Sequence, residues 1–347
     1  MRLDDDSLPD LARGCAILGA GGGGDVDLAL QMARHAVGEH GPVEVLGLDE
    51  LDDRALILPC GLVGSPSITE ERIPSGDEAV ILRAAVQRRA GRAVTAIMPY
   101  EIGGANGVMP VVWAARLGLP LVDADAMGRS FPSLTQVVLE LVGHHARAWL
   151  LADGRGNVVF VEAADRGWVD RLVHGAATGL GGVCAAALGG LGAAEARAGT
   201  VAGSISRARC CGAAPDGTGV RLLDGRVVDV LRRRDGPRFE GTATIQGTAA
   251  DDGRRLRVEL QGEYLLVLEE GTVLAAVPDI IVLLAVPSGR PIPTGQLLRG
   301  QQVWVVALPA PEVWRSAEGL AMAGPEAFGL AIDHAPITPG AACDALS

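Results

Sequence analysis

Apolar and polar positions along the first half of the chain predict helices and strands in alternation. Helical spacing runs from Asp25 to Val37, with Asp25 as N-cap, and from Ser75 to Gly91, between a serine cap and a glycine stop. Alternation of this kind is typical of an α/β domain with a mostly parallel sheet. Short apolar runs predict strands at 43–48, 55–60, 93–99 and 119–125, and further helices are predicted at 8–14, 107–117 and 132–142.

The pattern changes in the second half of the chain. Residues 165–209 are rich in alanine and predict a helical bridge. From about residue 212, alternating positions and Asp-Gly turns predict strands. A chain of 347 residues is long enough for about two domains. We therefore predict an α/β N-terminal domain over residues 1–164, and a helical bridge plus a β-rich C-terminal domain over residues 165–347.

Composition narrows the function classes. Hydrophobic residues make up 48% of the chain, whereas aromatic residues are 3% and glycine reaches 48 residues, so small residues and close backbone contacts must supply much of the packing. The net charge of −12 argues against a nucleic-acid partner. All 30 basic residues are arginine. The absence of lysine excludes a Schiff-base lysine, a phosphate-loop lysine and a lysine general base.

Two further features bear on location. The six cysteines form no metal-binding spacing, and the acidic start of the sequence lacks an apolar signal segment, so we expect a cytoplasmic protein. The charge-free window from Ala176 to Ala194 is long enough for a membrane span. Because its apolar residues are mostly alanine and glycine, we predict a packed helix or helix–turn and no membrane partner.

Four consecutive glycines, Gly21, Gly22, Gly23 and Gly24, precede the helix that begins near Asp25. Free N–H groups at such a helix start can bind a phosphate or carboxylate, whereas a tight turn with close backbone packing gives the same letters. The run lacks the lysine of a phosphate loop, and the acid expected after a dinucleotide fingerprint is missing from the end of its strand. A carboxylate site and a structural turn both stay open.

Polar loops follow three of the predicted strands. In parallel sheets ligands bind beyond the carboxyl ends of strands, so these loops are the candidate site. The first loop carries Glu70, which is also explained as a solvated helix-start acid. The second is YEIGGANG, where Glu101 and Asn106 bracket Gly104; Asn106 also suits a helix N-cap.

The third loop, DADAMGRSFP, places Asp123 and Asp125 two residues apart. In an extended chain both side chains point to one face. Paired carboxylates can bind a metal, share a proton or stabilise a cationic substrate, and Arg129 can clamp a carboxylate through two hydrogen bonds. A salt-bridged loop is the structural alternative.

Several stretches taken together resemble one family. The N-terminal half carries, in order, ARGCAILGAGGGGD, GSPSITEE, YEIGGANGVMP and DADAMGRSFP. The C-terminal half carries VPDIIVLL, GQLLRGQQVWVVALPAP and GPEAFGLAID. This ordered set, which covers nearly the whole chain, resembles the S-methyl thiohydantoin desulfurase family, once a family of unknown function found beside hydantoinase/oxoprolinase proteins.

The resemblance implies hydrolytic removal of sulfur from C2 of a five-membered ring, giving a hydantoin and methanethiol. Such rings arise in the breakdown of S-methylated, ergothioneine-type thiohistidines, and a related reaction would release sulfide. For this chemistry we assign catalytic roles to Glu101, Asp123 and Asp125. The expected substrate-binding residues are Gly21, Gly22, Gly23, Gly24, Glu70, Gly104, Asn106 and Arg129, of which Arg129 and the glycine N–H groups would hold a propionate-type side chain.

Besides nucleotide binding at the glycine run, two other functions stay open. One is a metal-dependent ring hydrolase in which Asp123, Asp125 and a histidine hold a divalent ion. The other is a non-catalytic partner subunit of a hydantoinase-type complex. The carboxylate mechanism needs no cofactor, the expected partner is a small heterocyclic substrate, and a homo-oligomer is compatible with the sequence.

Overall fold

The structure is a computed structural model that describes residues 1–65, 68, 73–235 and 238–337. The helices with described bounds are α1 (Leu8–Leu18), α2 (Val26–His40), α3 (Glu78–Ala90), α4 (Ala105–Leu117), α5 (Val138–Leu141), α6 (Arg166–Gly179), α7 (Ala193–Gly199), α8 (Ser204–Ala213) and α9 (Ala317–Ala323). The strands of the first domain are β1 (Arg2–Leu3), β2 (Val43–Leu46), β3 (Leu56–Gly64), β4 (Ala96–Pro99), β5 (Leu121–Val122), β6 (Ala124–Asp125), β7 (Ala148–Ala152), β8 (Val158–Glu162), β9 (Val183–Leu188), β10 (Leu191–Gly192) and β11 (Val201–Ala202). The strands of the second domain are β12 (Val220–Asp235), β13 (Arg238–Gly247), β14 (Arg255–Gln261), β15 (Glu263–Glu269), β16 (Thr272–Ala276), β17 (Ile280–Ala285), β18 (Arg290–Pro291) and β19 (Gln302–Leu308).

The first domain is built on a nine-stranded sheet in the order β1-β2-β5-β4-β3-β9-β7-β8, with β10 paired to β3. Strands β2, β5, β4 and β3 are parallel, and the strands outside them are antiparallel. All four residues of β4 are buried, as expected for a parallel strand covered on both faces. The predicted α/β class is confirmed, with a mixed sheet.

Capping residues in the sequence correctly predicted where two of the helices begin or end. Asp25 caps α2, and its carboxylate accepts from the N–H of Asp27 at 2.7 Å. Gly91 ends α3 in the left-handed region. The helix predicted at 132–142 is wrong except for α5, and the helix predicted at 8–14 continues as α1 to Leu18, shortly before the glycines. The glycine run therefore joins two helices.

The alanine-rich middle region was predicted as wholly helical, and this is wrong for β9. That strand lies between β3 and β7, and all six of its residues are buried. Alanine favours helix, but a strand covered on both faces also needs small apolar side chains here. Residues beyond 164 thus complete the first sheet. Within the described residues, no helix is long and apolar enough to cross a membrane.

The second domain is an eight-stranded antiparallel sheet in the order β16-β15-β14-β13-β12-β19-β17-β18. Alternate residues of its strands, among them Leu223, Val258, Leu283 and Val305, form a separate buried cluster. The β-rich C-terminal prediction is confirmed, because period-two alternation marks strands with one buried face.

Candidate active site

A cavity of about 470 Å³ opens at the carboxyl ends of β3 and β4. Leu62 and Val63 of β3, Glu101 after β4, and Asn106 of α4 form part of its wall. Gly24 lines it from the glycine run. The cavity therefore occupies the edge of the sheet where a parallel α/β domain is expected to bind ligands.

Aromatic side chains form another part of the wall. The chain has 5 tryptophans, 2 tyrosines and 4 phenylalanines; Trp149, Tyr100 and Phe131 line the cavity. The rings of Tyr100 and Trp149 meet edge to face with centroids 4.7 Å apart, and the Tyr100 hydroxyl donates to the carbonyl of Leu134. None of these three residues was predicted as a site residue from the sequence. Because aromatic residues are only 3% of the chain, each of them could have been considered as a candidate.

Glu101 is the acid that combines deep burial with a place in the cavity wall. One carboxylate oxygen accepts from Asn106 Nδ2 at 2.7 Å, and the other accepts from Ser130 Oγ at 3.0 Å. Burial raises the pKa of Glu101 to about 7, and the nearby charges of Glu263 and Asp125 act in the same direction. The two hydrogen bonds oppose that rise. A carboxyl group that ionises near neutral pH is suited to general acid–base catalysis.

Asn106 orients Glu101 rather than reaching freely for a ligand. Its Oδ1 accepts from the Leu62 N–H at 2.6 Å, and its Nδ2 donates to the Leu62 carbonyl at 3.1 Å and to Glu101. An amide group has two N–H donors, and both are used within the protein. Asn106 thus fixes the catalytic candidate against β3.

Asp125 lies behind the wall and does not line the cavity. It is fully buried, and Oδ2 accepts from the N–H groups of Ile102, Met127 and Gly128 at 2.9, 3.1 and 2.7 Å. Burial raises the pKa of Asp125 to about 6, against these backbone hydrogen bonds. The carboxylate holds the loop after β4 in place.

Asp123 lies at the start of α8. Its Oδ1 accepts from the N–H groups of Ile205 and Ser206 at 2.8 and 3.0 Å, and Oδ2 accepts from the Ser206 hydroxyl. The predicted acid pair does not form, because the strand breaks at this residue. The Asp123 N–H bonds to Leu46 of β2, while Asp125 belongs to β6, which pairs with β11 in a separate two-stranded sheet.

Arg129 is fully buried at the junction of the two domains and does not line the cavity. Its Nη1 donates to the carbonyls of Pro278 and Asp279 at 2.8 and 2.9 Å, and its Nε donates to the Ser130 carbonyl at 2.9 Å. Burial lowers the pKa of Arg129 to about 10, although nearby acids raise it. Nε and Nη1 of this guanidinium bind main-chain carbonyls, and the buried Nη2 has no hydrogen-bond partner within the described residues. The predicted carboxylate clamp therefore does not form.

The glycine run packs against the loop after β4. A Cβ atom on Gly23 would lie 2.6 Å from the Gly103 oxygen, and one on Gly104 would lie 2.2 Å from the Gly23 oxygen. The Ala105 N–H donates to the Gly23 carbonyl at 2.9 Å. Gly23 and Gly24 also line the cavity, so half of the predicted cradle reaches it.

Gly21 and Gly22 instead contact the second domain. Thr294 donates its N–H to the Gly21 carbonyl at 2.9 Å. A Cβ on Gly21 would lie 2.5 Å from a ring carbon of Tyr264. A Cβ on Gly22 would lie 2.5 Å from an oxygen of Glu263. Close approach leaves no room for a Cβ on Gly21, Gly22 or Gly23, and Gly24 has φ +83°, a conformation that favours glycine.

The remaining predictions concern Glu70 and a metal ion. Glu70 lies outside the described residues. In the part of the chain that the structure describes, no group of three or more histidine, cysteine or acidic side chains is placed to hold a metal ion. Asp123 and Asp125 bind backbone N–H groups of different segments, so the ligand set named for the metal-dependent alternative does not assemble.

Fold and site define an α/β domain joined to an antiparallel β domain, with a buried acid at the ligand-binding edge of the first sheet. The chain belongs to the S-Me-THD-like family, the S-methyl thiohydantoin desulfurase-like proteins. The model of that family's N-terminal domain matches residues 6–163, and the model of its C-terminal domain matches residues 164–337.

A solved structure supports the architecture. The crystal structure of a protein from Chromobacterium violaceum aligns with a TM-score of 0.78 and 23% sequence identity, over 97% of this chain and 100% of that chain. At that identity it shows a shared fold alone. No curated protein sequence matches this chain.

Proposed function

We propose that this protein is a hydrolase that removes sulfur from C2 of an S-methyl thiohydantoin ring and releases a hydantoin and methanethiol. The observation that carries the proposal is Glu101, a buried acid with a pKa of about 7 on the wall of an aromatic-lined cavity, in a chain of this family. Such an acid can both take and give a proton near neutral pH.

The cavity suits a flat, weakly polar ring. A five-membered heterocycle can pack against Tyr100, Phe131 and Trp149, because aromatic faces and edges favour planar partners. Leu62, Val63 and other apolar side chains limit the water that reaches the ring. A cavity of about 470 Å³ is within the usual range for a small-molecule site.

In the proposed reaction, Glu101 acts as the base toward one water molecule. As the water oxygen bonds to C2, its first proton passes to the Glu101 carboxylate, and a tetrahedral carbon forms. In the same step the electron pair of the C2=N bond moves to that ring nitrogen. The C2–S bond then breaks and the sulfur leaves as methanethiol with the proton from Glu101, while the second water proton passes from the C2 hydroxyl to the ring nitrogen as the C2 carbonyl forms. Asn106 and Ser130 hold the carboxylate in its ionised form before attack.

The test is turnover by the purified full-length protein, with S-methyl thiohydantoin propionate as probe. Thiol release and the mass of the ring product are followed with and without a chelator. Glu101→Gln keeps the shape of the side chain and removes the base. Glu140→Gln is the matched control, since Glu140 is also buried but binds Ala146 and His145 outside the cavity.

The proposal predicts methanethiol release that survives the chelator and is lost in Glu101→Gln but not in Glu140→Gln. Release that disappears with chelator and returns with a divalent ion would favour the metal-dependent alternative. A folded protein with no turnover in either condition would overturn the proposal and favour the partner-subunit alternative.

A further inference from the structure

One of the contacts between the second domain and the segments around the cavity is made by a buried cation, Arg129. Arg129 bridges the domains, because its Nη1 binds the Pro278 and Asp279 carbonyls at 2.8 and 2.9 Å while its Nε binds the Ser130 carbonyl at 2.9 Å. A planar guanidinium has donors fixed in direction, so the position of the turn sets the position of Ser130.

The turn that holds Arg129 is itself fixed. The carboxylate of Asp279 is fully buried and accepts from the N–H groups of Ala310 and Ile337, each at 2.8 Å. Its second oxygen also lies 3.0 Å from Nε2 of the buried His334. The carbonyls offered to Arg129 therefore sit on a rigid part of the second domain.

Ser130 completes the connection. Its N–H donates to the Leu18 carbonyl at 3.2 Å, and its hydroxyl donates to Glu101 at 3.0 Å. A Cβ on Gly103 would lie 2.7 Å from Ser130 N, so the serine is packed tightly against the loop that carries Glu101. Each step from the second domain to the catalytic candidate is a direct contact.

We infer that Arg129 is a positioning residue through which the C-terminal domain holds Ser130, and through Ser130 the ionised carboxylate of Glu101. The inference rests on the role of Glu101 in the proposed function. If Arg129 acts in this way, the second domain contributes to catalysis although none of its described residues lines the cavity.

Other charges around Glu101 act on it as well. Asp125 from β6 and Glu263 from β15 oppose its ionisation. Asp25, Asp27 and His174 line the same cavity. The positive charge of Arg129 also interacts with Glu101, and Arg129→Lys keeps that charge. The other groups stay unchanged in the variants below, so a change in Glu101 reports on the hydrogen bonds of Arg129 and Ser130.

The experiment is a ¹³C NMR titration of the full-length protein labelled at glutamate carboxyl carbons, with the Glu101 signal assigned by its loss in Glu101→Gln. Arg129→Lys removes the fork that joins Ser130 to the second domain. Ser130→Ala removes the hydrogen bond from Ser130 to Glu101. Because it is a small truncation, it still tests the inference if Arg129→Lys does not fold. Arg207→Lys is the matched control, because Arg207 donates to the Pro309 carbonyl at 2.8 Å without contacting Ser130.

We expect Arg129→Lys and Ser130→Ala each to raise the Glu101 titration midpoint by about one pH unit, since each weakens a hydrogen bond to the ionised form. The double variant should move no further than Ser130→Ala, and Arg207→Lys should leave the midpoint in place. An unmoved midpoint in Arg129→Lys or in Ser130→Ala would overturn the inference, as would additive shifts in the double variant. The titration needs no substrate, so a protein that shows these shifts without any thiohydantoin turnover would refute the proposed function alone.

Discussion

Two neighbouring acidic loops at the carboxyl edge of the first sheet use their carboxylates differently. In the loop after β4, Glu101 accepts two hydrogen bonds from side chains and faces a cavity. In the loop around β6, Asp125 accepts three hydrogen bonds from backbone N–H groups, and Asp123 accepts two such bonds at the start of α8.

The difference lies in the donors. Backbone donors are part of the fold, so a carboxylate bound by several of them is held as structure. Glu101 has only side-chain donors, and burial raises its pKa to about 7, as burial also raises the pKa of Asp125 to about 6. Position at a strand end selects candidates, and the kind of donor together with a place in the cavity wall separates a reactive acid from a structural one.

The largest effect should come from Glu101→Gln. Loss of a general base lowers turnover by about 10²- to 10⁴-fold, while the amide keeps the hydrogen-bonded shape and the fold. Initial rates of methanethiol release measure the loss of turnover, and circular dichroism checks that the fold is retained. A variant within about threefold of the wild-type rate would remove the contrast between the two loops.

Gly23→Ala tests the support beneath the Glu101 loop. Its Cβ would meet the Gly103 oxygen at 2.6 Å, and Gly23 has φ +76°. Gly41→Ala is the matched control, because Gly41 has φ +90° and nothing within 4 Å. Denaturant unfolding should show a loss of about 1–2 kcal/mol for the control, and at least about 2 kcal/mol more for Gly23→Ala. Equal losses would mean that close contact is unimportant there.

Asp123→Ala probes the structural loop. It removes the acceptor at the start of α8, so we expect a loss of about 1–2 kcal/mol in the free energy of unfolding and a turnover within about twofold of wild type. Ser316→Ala, which removes the cap of α9, provides a comparison outside the site. Turnover that falls as far as in Glu101→Gln would restore Asp123 to a catalytic role.

The last prediction concerns how the free energy of unfolding depends on pH. The pKa of Glu101 is raised from 4.5 to about 7 in the folded protein, so its contribution to stability is fully present below about pH 4.5 and is lost as pH rises through about 7. Relative to Glu101→Gln, the wild type should therefore lose on the order of 1–3 kcal/mol across that window. Thermal unfolding of both proteins over this range measures it, and parallel curves would contradict a buried ionised Glu101.

The sequence predicts the features that local pattern determines. The α/β class, the Asp25 cap and the place of Glu101 after a buried strand all follow from neighbouring residues. Strand β9 was missed because alanine carries a helical preference that burial on both faces overrides.

Contacts between distant segments explain the other differences. Arg129 binds a carbonyl 149 residues further along the chain, and Asp123 binds N–H groups 82 and 83 residues away. No spacing within DADAMGRSFP could reveal these partners. The glycine run likewise needed the second domain to show why Gly21 and Gly22 carry no side chain.

The most direct test of the account is the pH dependence of kcat/KM for the wild type, from roughly pH 5 to pH 9, because that profile reports the free enzyme's essential base. With Glu101 as the base, kcat/KM should rise with pH to a plateau with a midpoint near the Glu101 pKa of about 7, and the residual activity of Glu101→Gln should lack this limb. A wild-type profile that is flat across this range, or a limb that persists unchanged in Glu101→Gln, would contradict the assignment of Glu101 as the catalytic base.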